Sequence, residues 1–127
     1  MPAALLDTHA FVWGLIDPDR LGSRVRAALA ASREILVSSV SLFEIGQKAR
    51  LGKWPEVAPH IDRLVAEHES LGGRFAAVDA AIALRAGQLA WDRRDPFDRL
   101  IAATALERNL TLISADAAFD ALLTRVW

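Results

Sequence analysis

Cysteine is absent from the chain. That removes disulfides, thiolate metal sites and cysteine nucleophiles together, and it suits a reducing compartment. Long apolar runs are absent too. The longest uncharged stretches, Thr8–Ile16 and Ile35–Phe43, fall far short of the ~18 apolar residues a membrane span requires. The opening Met-Pro-Ala-Ala-Leu-Leu-Asp has no basic segment ahead of its apolar residues, so it does not read as a secretory signal. The expectation is a cytoplasmic protein with no membrane contact. Nor is there an excess of positive charge. A formal net charge of -1 argues against a general polyanion binder, because non-specific nucleic-acid binding runs on phosphate neutralisation. Any contact with RNA must come from a local patch.

Several catalytic motifs are missing as well. No glycine-rich phosphate loop is present, and Gly72-Gly73 ahead of an apolar run reads as a turn. No Gly-x-Ser-x-Gly elbow supplies a serine nucleophile. His9, His60 and His68 lack the paired spacing of a zinc site, and His60 and His68 read as exposed helix residues. His9, two residues from Asp7, is a lesser candidate for the site.

The 127 residues suffice for one domain spanning 1–127. The apolar fraction of 53% exceeds the ~45–50% usual for globular domains, a range that also counts glycine, and hints at apolar surface kept for a partner. Short apolar runs alternate with stretches of 3.6-residue period. Strands are expected at Ala3–Leu6, Ile35–Val37, Arg74–Val78 and Thr111–Ile113, with a possible edge strand at Arg125–Trp127. Helices are expected at His9–Ile16, Arg20–Ser32, Val40–Leu51, Val57–Leu71, Ala80–Ala90, Pro96–Arg108 and Ala117–Leu123. This alternation predicts an α/β fold: a doubly wound, mainly parallel sheet of four to five strands flanked by helices. Such sheets bind ligands beyond the carboxyl ends of their strands.

Four acids fall there. Asp7 follows the first strand, Asp116 follows the fourth, Glu44 lies one turn into the helix after the second, and Asp98 lies in the first turn of Pro96–Arg108. Each also has a local explanation. Asp95-Pro96 reads as an N-cap with proline at the first helical position. Ser41 and Glu44 have capping-box spacing. Asp7, Asp79 and Asp116 can cap the helices behind them, and Asp79 is assigned to that role alone. Four acids on one rim conflict, however, since two unit charges 4 Å apart repel by roughly 4 kcal/mol at an effective dielectric of 20. A divalent cation resolves the conflict, and oxygen ligands without His or Cys suit Mg²⁺ or Mn²⁺.

Leu5-Leu6-Asp7-Thr8-His9-Ala10-Phe11-Val12-Trp13, Ser38-Ser39-Val40-Ser41-Leu42-Phe43-Glu44-Ile45 and Arg94-Asp95-Pro96-Phe97-Asp98-Arg99-Leu100-Ile101-Ala102-Ala103 resemble PIN-domain nucleases, and more narrowly the VapC toxins of bacterial type II toxin–antitoxin systems. The resemblance runs over nearly the whole chain, and the Asp-Pro-Phe-Asp-Arg block is its most specific part. It implies a PIN domain in which Asp7, Glu44, Asp98 and Asp116 are the catalytic, metal-binding acids. It further implies an RNA substrate, a cognate VapB-like antitoxin covering the site, and a homodimer. Thr8 and Ser114 are then supporting groups, Asp95 stays a helix cap with a secondary role, and Arg99 either contacts phosphate or pairs with an acid. Family members often carry histidine just before the block, where this chain has Arg93-Arg94; that difference bears on substrate contacts.

The expected chemistry is hydrolysis of RNA by metal-activated water, with Mg²⁺ as cofactor and Mn²⁺ able to substitute. Products would carry 5′-phosphate and 3′-hydroxyl, because no His pair is available for a 2′-hydroxyl mechanism. Arg50, Lys48, Lys53, Arg93, Arg94 and Arg99 are candidate phosphate contacts, though most read as solvated helix surface. Trp13, Trp54, Trp91 and Trp127 read as packing residues rather than base-stacking platforms. Alternatives are a housekeeping RNA-processing nuclease and a non-catalytic binding module of the same fold. A receiver-like phosphoacceptor lacks its late lysine, since Lys53 is the last, and an aspartyl-nucleophile phosphatase lacks its Asp-x-Asp opening.

Overall fold

In the computed structural model, which describes residues 3–127, β1 (Ala4–Leu6), β2 (Ile35–Ser38), β3 (Arg74–Ala76), β4 (Thr111–Ile113) and β5 (Arg125–Val126) pair in parallel in the order β3-β2-β1-β4-β5. Leu5, Leu36 and Leu112 form one row across the central strands, and Leu6, Val37 and Ile113 form the next. Successive strand side chains point to opposite faces. The first row therefore packs with Ile101, Ala102 and Ala105 of α6 (Pro96–Glu107). The second packs with Phe11 and Val12 of α1 (Thr8–Ile16), Val25 of α2 (Ser23–Ala31) and Ile45 of α3 (Ser39–Arg50). All six row residues are buried, each contributing about 1.5–3 kcal/mol by leaving water. Burial on both faces is why these strands carry apolar residues at consecutive positions. Two more helices, α4 (Leu64–Ser70) and α5 (Ala80–Gln88), complete the cover. No helix among the described residues is long and apolar enough to cross a membrane.

Helix starts follow their local signals. Asp7, Asp79 and Asp95 cap α1, α5 and α6, and Pro96 takes the first position of α6. Helix α6 stops where Asn109 adopts a positive φ of 54° and Leu110 N–H donates to Ala105 O at 2.8 Å, a Schellman-type ending.

Two expected helices are broken. Within Arg20–Ser32, a 3-10 turn at Pro18–Arg20 precedes α2, and Leu21 between them is extended and buried; sinking that leucine into the core interrupts the helix. Within Val57–Leu71, residues Ala58–Arg63 are 3-10 and only Leu64–Ser70 is α-helical. Pro59 lacks the N–H and disfavours helical geometry in the residue before it. Strand β3 ends at Ala76 rather than Val78, and Ala117–Ala121 is 3-10.

The strand order matters most for function. From β1 the chain moves outward to β2 and β3, then returns to β4 on the other side of β1. The crevice beyond the carboxyl ends of β1 and β4 is thus the topological switch point, where ligands of open α/β sheets bind.

Candidate active site

A cavity of about 190 Å³ opens at that switch point, and Asp7, Glu44, Asp98 and Asp116 all line it, with Thr8 and Arg93. The four acids singled out by the sequence therefore meet. A larger hollow of about 310 Å³ lies around Phe11, Leu29 and His68, but it gathers no comparable acids. Convergence of polar groups, not size, marks the site.

The caps expected from sequence hold for three of the lining acids, and capping is what aims them. Asp7 directly follows β1 and accepts from Ala10 N–H at 2.8 Å. Asp116 follows β4 and accepts from Ala118 N–H at 3.0 Å. Asp95, also on the cavity wall, accepts from Phe97 N–H at 2.8 Å and Asp98 N–H at 3.4 Å, setting the start of the helix that carries Asp98. Ser114 is wholly buried; its hydroxyl accepts from Asp116 N–H at 3.0 Å and also steadies the Asp7 carboxylate. Ser114 thus sits between the two acids at the switch point.

Glu44 differs from its expected capping box. Ser38 is the N-cap of α3, accepting from Val40 N–H. Glu44 is instead buried, accepting from the Thr8 hydroxyl at 2.6 Å and from Lys48 Nζ at 2.8 Å. Ser41 Oγ lies 3.0 Å from the same Thr8 hydroxyl. Thr8 thus ties the first turn of α1 to α3, and the Lys48 ammonium, one helical turn beyond Glu44, offsets its charge.

Arg93 is the one member whose role the sequence did not reveal. Its Nη1 donates to Asp98 Oδ2 at 2.9 Å and to Asp116 Oδ2 at 2.7 Å, and Nη2 reaches Asp116 Oδ1 at 3.5 Å. One guanidinium bridges two acids from different elements. The available signal was a basic residue where the resembled family often has histidine. Arg99, by contrast, pairs with no acid among the described residues. It donates to the backbone carbonyls of Ala86, Gly87, Leu89, Trp91 and Arg93, fastening the α5–α6 connection to α6. Five carbonyls, from the end of α5 and the connection after it, absorb the whole guanidinium fork, so the side chain has a structural use.

Of the other candidates, Lys48 lines the cavity, whereas Arg50, Lys53 and Arg94 are exposed away from its lining. Exposed His9 also lines the cavity, its ring 4.7 Å from that of Trp54 and 5.5 Å from that of Trp13. The tryptophans pack: Trp54 is buried, Trp13 meets Trp127 at 5.7 Å, and Trp91 meets Phe119 at 5.3 Å. His68, expected on the surface, is buried and bonded through Nε2 to Arg74 O at 2.9 Å.

The electrostatics of the cavity are strained in one direction. Burial pushes the Asp7 carboxyl above its ordinary 3.8, with the hydrogen bonds from Ser114 and Ala10 opposing and the Glu44 charge adding to the rise. Burial likewise raises Asp98, against the pull of Arg93. An all-oxygen donor set of this kind suits a hard cation such as Mg²⁺. As arranged, no three acidic or histidine side chains among the described residues form a ready cage, and the Arg93 guanidinium fills the ground between Asp98 and Asp116. The donor chemistry fits a divalent ion once that bridge opens.

A parallel α/β sheet with acids gathered at its switch point defines a class of open α/β folds with an acidic ligand crevice, and comparison narrows it. The PIN domain family matches residues 4–122. The chain is 33% identical over 119 residues to Ribonuclease VapC22 of Mycobacterium tuberculosis, covering 91% of this chain and 88% of that protein. Among solved structures it shares its fold with VapBC from Salmonella typhimurium bound to DNA (TM-score 0.68, 19% identity, 98% of this chain and 97% of that one). It likewise shares it with VapBC2 from Rickettsia felis bound to a promoter fragment (TM-score 0.66, 18% identity, 97% and 96%) and FitAcB from Neisseria gonorrhoeae (TM-score 0.66, 21% identity, 96% and 95%). The chain belongs to the PIN-domain family, and within it to the VapC type.

Proposed function

We propose that this protein is a Mg²⁺-dependent endoribonuclease and the toxin of a toxin–antitoxin pair, acting in the cytoplasm where its RNA substrate is found. One observation carries the reading: Asp7, Glu44, Asp98 and Asp116 leave four separate segments and meet in one cavity, with burial disfavouring charge on two of them. A relative named as a ribonuclease points the same way. Asp7, Asp98, Asp116 and Glu44 would hold Mg²⁺, or Mn²⁺ in its place, the bound ion supplying Lewis acidity toward a phosphoryl oxygen and a more acidic water. Thr8 keeps Glu44 oriented, Ser114 favours the charged Asp7 carboxylate and positions the Asp116 backbone, and Asp95 sets the helical turn that presents Asp98. Hydrolysis of this kind leaves 5′-phosphate and 3′-hydroxyl ends.

The partners follow from the same reading. Solved relatives include toxin–antitoxin complexes bound to DNA, one of them to a promoter fragment, which supports a VapB-like antitoxin as partner; that antitoxin would cover the site, and the toxin would be a homodimer. The deciding experiment is cleavage of end-labelled total RNA by the purified, antitoxin-free protein, with Mg²⁺, with EDTA, and with Asp7→Asn and Asp98→Asn. Discrete cuts that need the metal and both aspartates are expected. Ends carrying 2′,3′-cyclic phosphate would overturn the hydrolytic mechanism. Folded protein that cuts nothing at any Mg²⁺ or Mn²⁺ level would make the chain a binding module.

A further inference from the structure

We infer that Arg93 is the resident cation of the acidic cavity, and that its bridge between Asp98 and Asp116 competes directly with a divalent ion for those carboxylates. The inference deepens the metal-dependent reading above and rests on it. Three observations carry it. The bridge is bonded at both ends, at 2.9 Å to Asp98 and 2.7 Å to Asp116, and both Asp116 oxygens already have donors. The two bonded carboxylates come from elements far apart in the chain, the first turn of α6 and the end of β4, so the guanidinium lies between two proposed metal ligands. Finally, Arg93 can move: beyond the two carboxylates its guanidinium meets the Trp91 ring at 5.8 Å, a weak contact beside the two ion pairs. Its side chain is 32% exposed, it sits between α5 and α6 outside regular structure, and what Arg99 fastens is the Arg93 carbonyl, at 2.8 Å, not the guanidinium.

The physics of the exchange is direct. Without a divalent ion, the guanidinium offsets two carboxylates that repel one another across a small space. With one, a guanidinium in the same cavity is a like charge beside the ion and takes coordinating oxygens from it. Arg93 thereby sets the metal concentration at which the site loads, acting on metal affinity rather than on substrate. A purely structural role has the opposite signature, because a brace that organises ligands weakens metal binding when it is removed.

Direct Mn²⁺ binding distinguishes the two, read by the loss of the free-ion electron paramagnetic resonance signal on titrating wild type, Arg93→Ala, Arg93→Gln and Arg93→Lys. Arg93→Ala and Arg93→Gln should bind Mn²⁺ about tenfold more tightly than wild type. Arg93→Lys keeps the charge without the planar fork, and should fall between. Thermal unfolding adds an independent readout: metal-free Arg93→Gln should melt below wild type, with a larger upward shift on adding Mg²⁺. Equal or weaker Mn²⁺ binding by the folded neutral variants overturns the competition while leaving the metal site intact. Absence of binding in wild type and variants alike overturns the metal reading, and this inference with it.

Discussion

Two regions of this molecule bury ionisable groups, and they handle the cost in opposite ways. At the corner formed by α4 and the start of β3, burial drives His68 below its ordinary 6.5. The ring is left with a carbonyl partner at Arg74 and edge contacts to Phe11 and Phe75, centroids 5.3 and 4.9 Å away. A neutral imidazole satisfies everything around it. At the switch point, burial drives Asp7 and Asp98 upward, but each is a carboxylate among carboxylates, with Arg93 and Lys48 the cations paired against the collected charge. The first region has settled its conflict by neutralisation and reads as structure. The second holds acids at positions where charge is disfavoured, which a fold seeking stability alone has no reason to do.

Substitutions at the two regions should separate activity from stability. The largest effect is expected from Asp7→Asn, which keeps the α1 cap, since asparagine caps as well as aspartate, and removes a charge. RNA cleavage should fall by more than about 100-fold, the upper end of what losing a mere hydrogen-bonding partner of a metal ligand costs. Metal-free stability should rise. A raised carboxyl adds stability below its unfolded value and loses it as pH climbs through the folded one, so at neutral pH the charged Asp7 is a liability that asparagine lacks. A fall in melting temperature would break the contrast.

Gly73→Ala is the matching probe of the other region. A Cβ there would stand 2.1 Å from the His68 ring, a clash that overpacks a buried corner and should cost roughly 1–3 kcal/mol in denaturant unfolding. Cleavage by the folded fraction should be unchanged. A smaller effect is expected with pH. His68 stays neutral in the fold while the unfolded chain takes up a proton below 6.5, so its contribution is present above that value and lost as pH falls toward the lowered folded one. Denaturant midpoints at pH 7.5 and 5.5 should therefore diverge less in His68→Gln than in wild type. Equal divergence would place the acid sensitivity elsewhere.

Much of this was legible in the residues. Ala4–Leu6 is buried throughout, as are Leu112 and Ile113, so the composition of these runs announced parallel strands. Asp95-Pro96 marked the start of α6 because capping and proline geometry are local. What misled was also local. Ser41 and Glu44 had the spacing of a capping box, yet Ser38 caps α3 and Glu44 turns inward to Thr8. Arg99 suggested a phosphate contact or a pair with an acid, and instead holds five carbonyls at the end of α5 and in the connection after it. The apolar period of Val57–Leu71 pointed to one helix, whereas Pro59 turns its first half into 3-10 geometry.

By itself, then, the sequence determined the class of fold, the identity of the four acids and the element that carries each, because periodicity, caps and strand ends are written within a few residues of where they act. Strand order belonged to the tertiary structure. It set β4 beside β1, brought Asp116 to Asp7, and left Arg93 between Asp98 and Asp116. A guanidinium at the end of a long, flexible stem reaches whatever carboxylates the folded chain sets around it, and no spacing along the sequence encodes which those are.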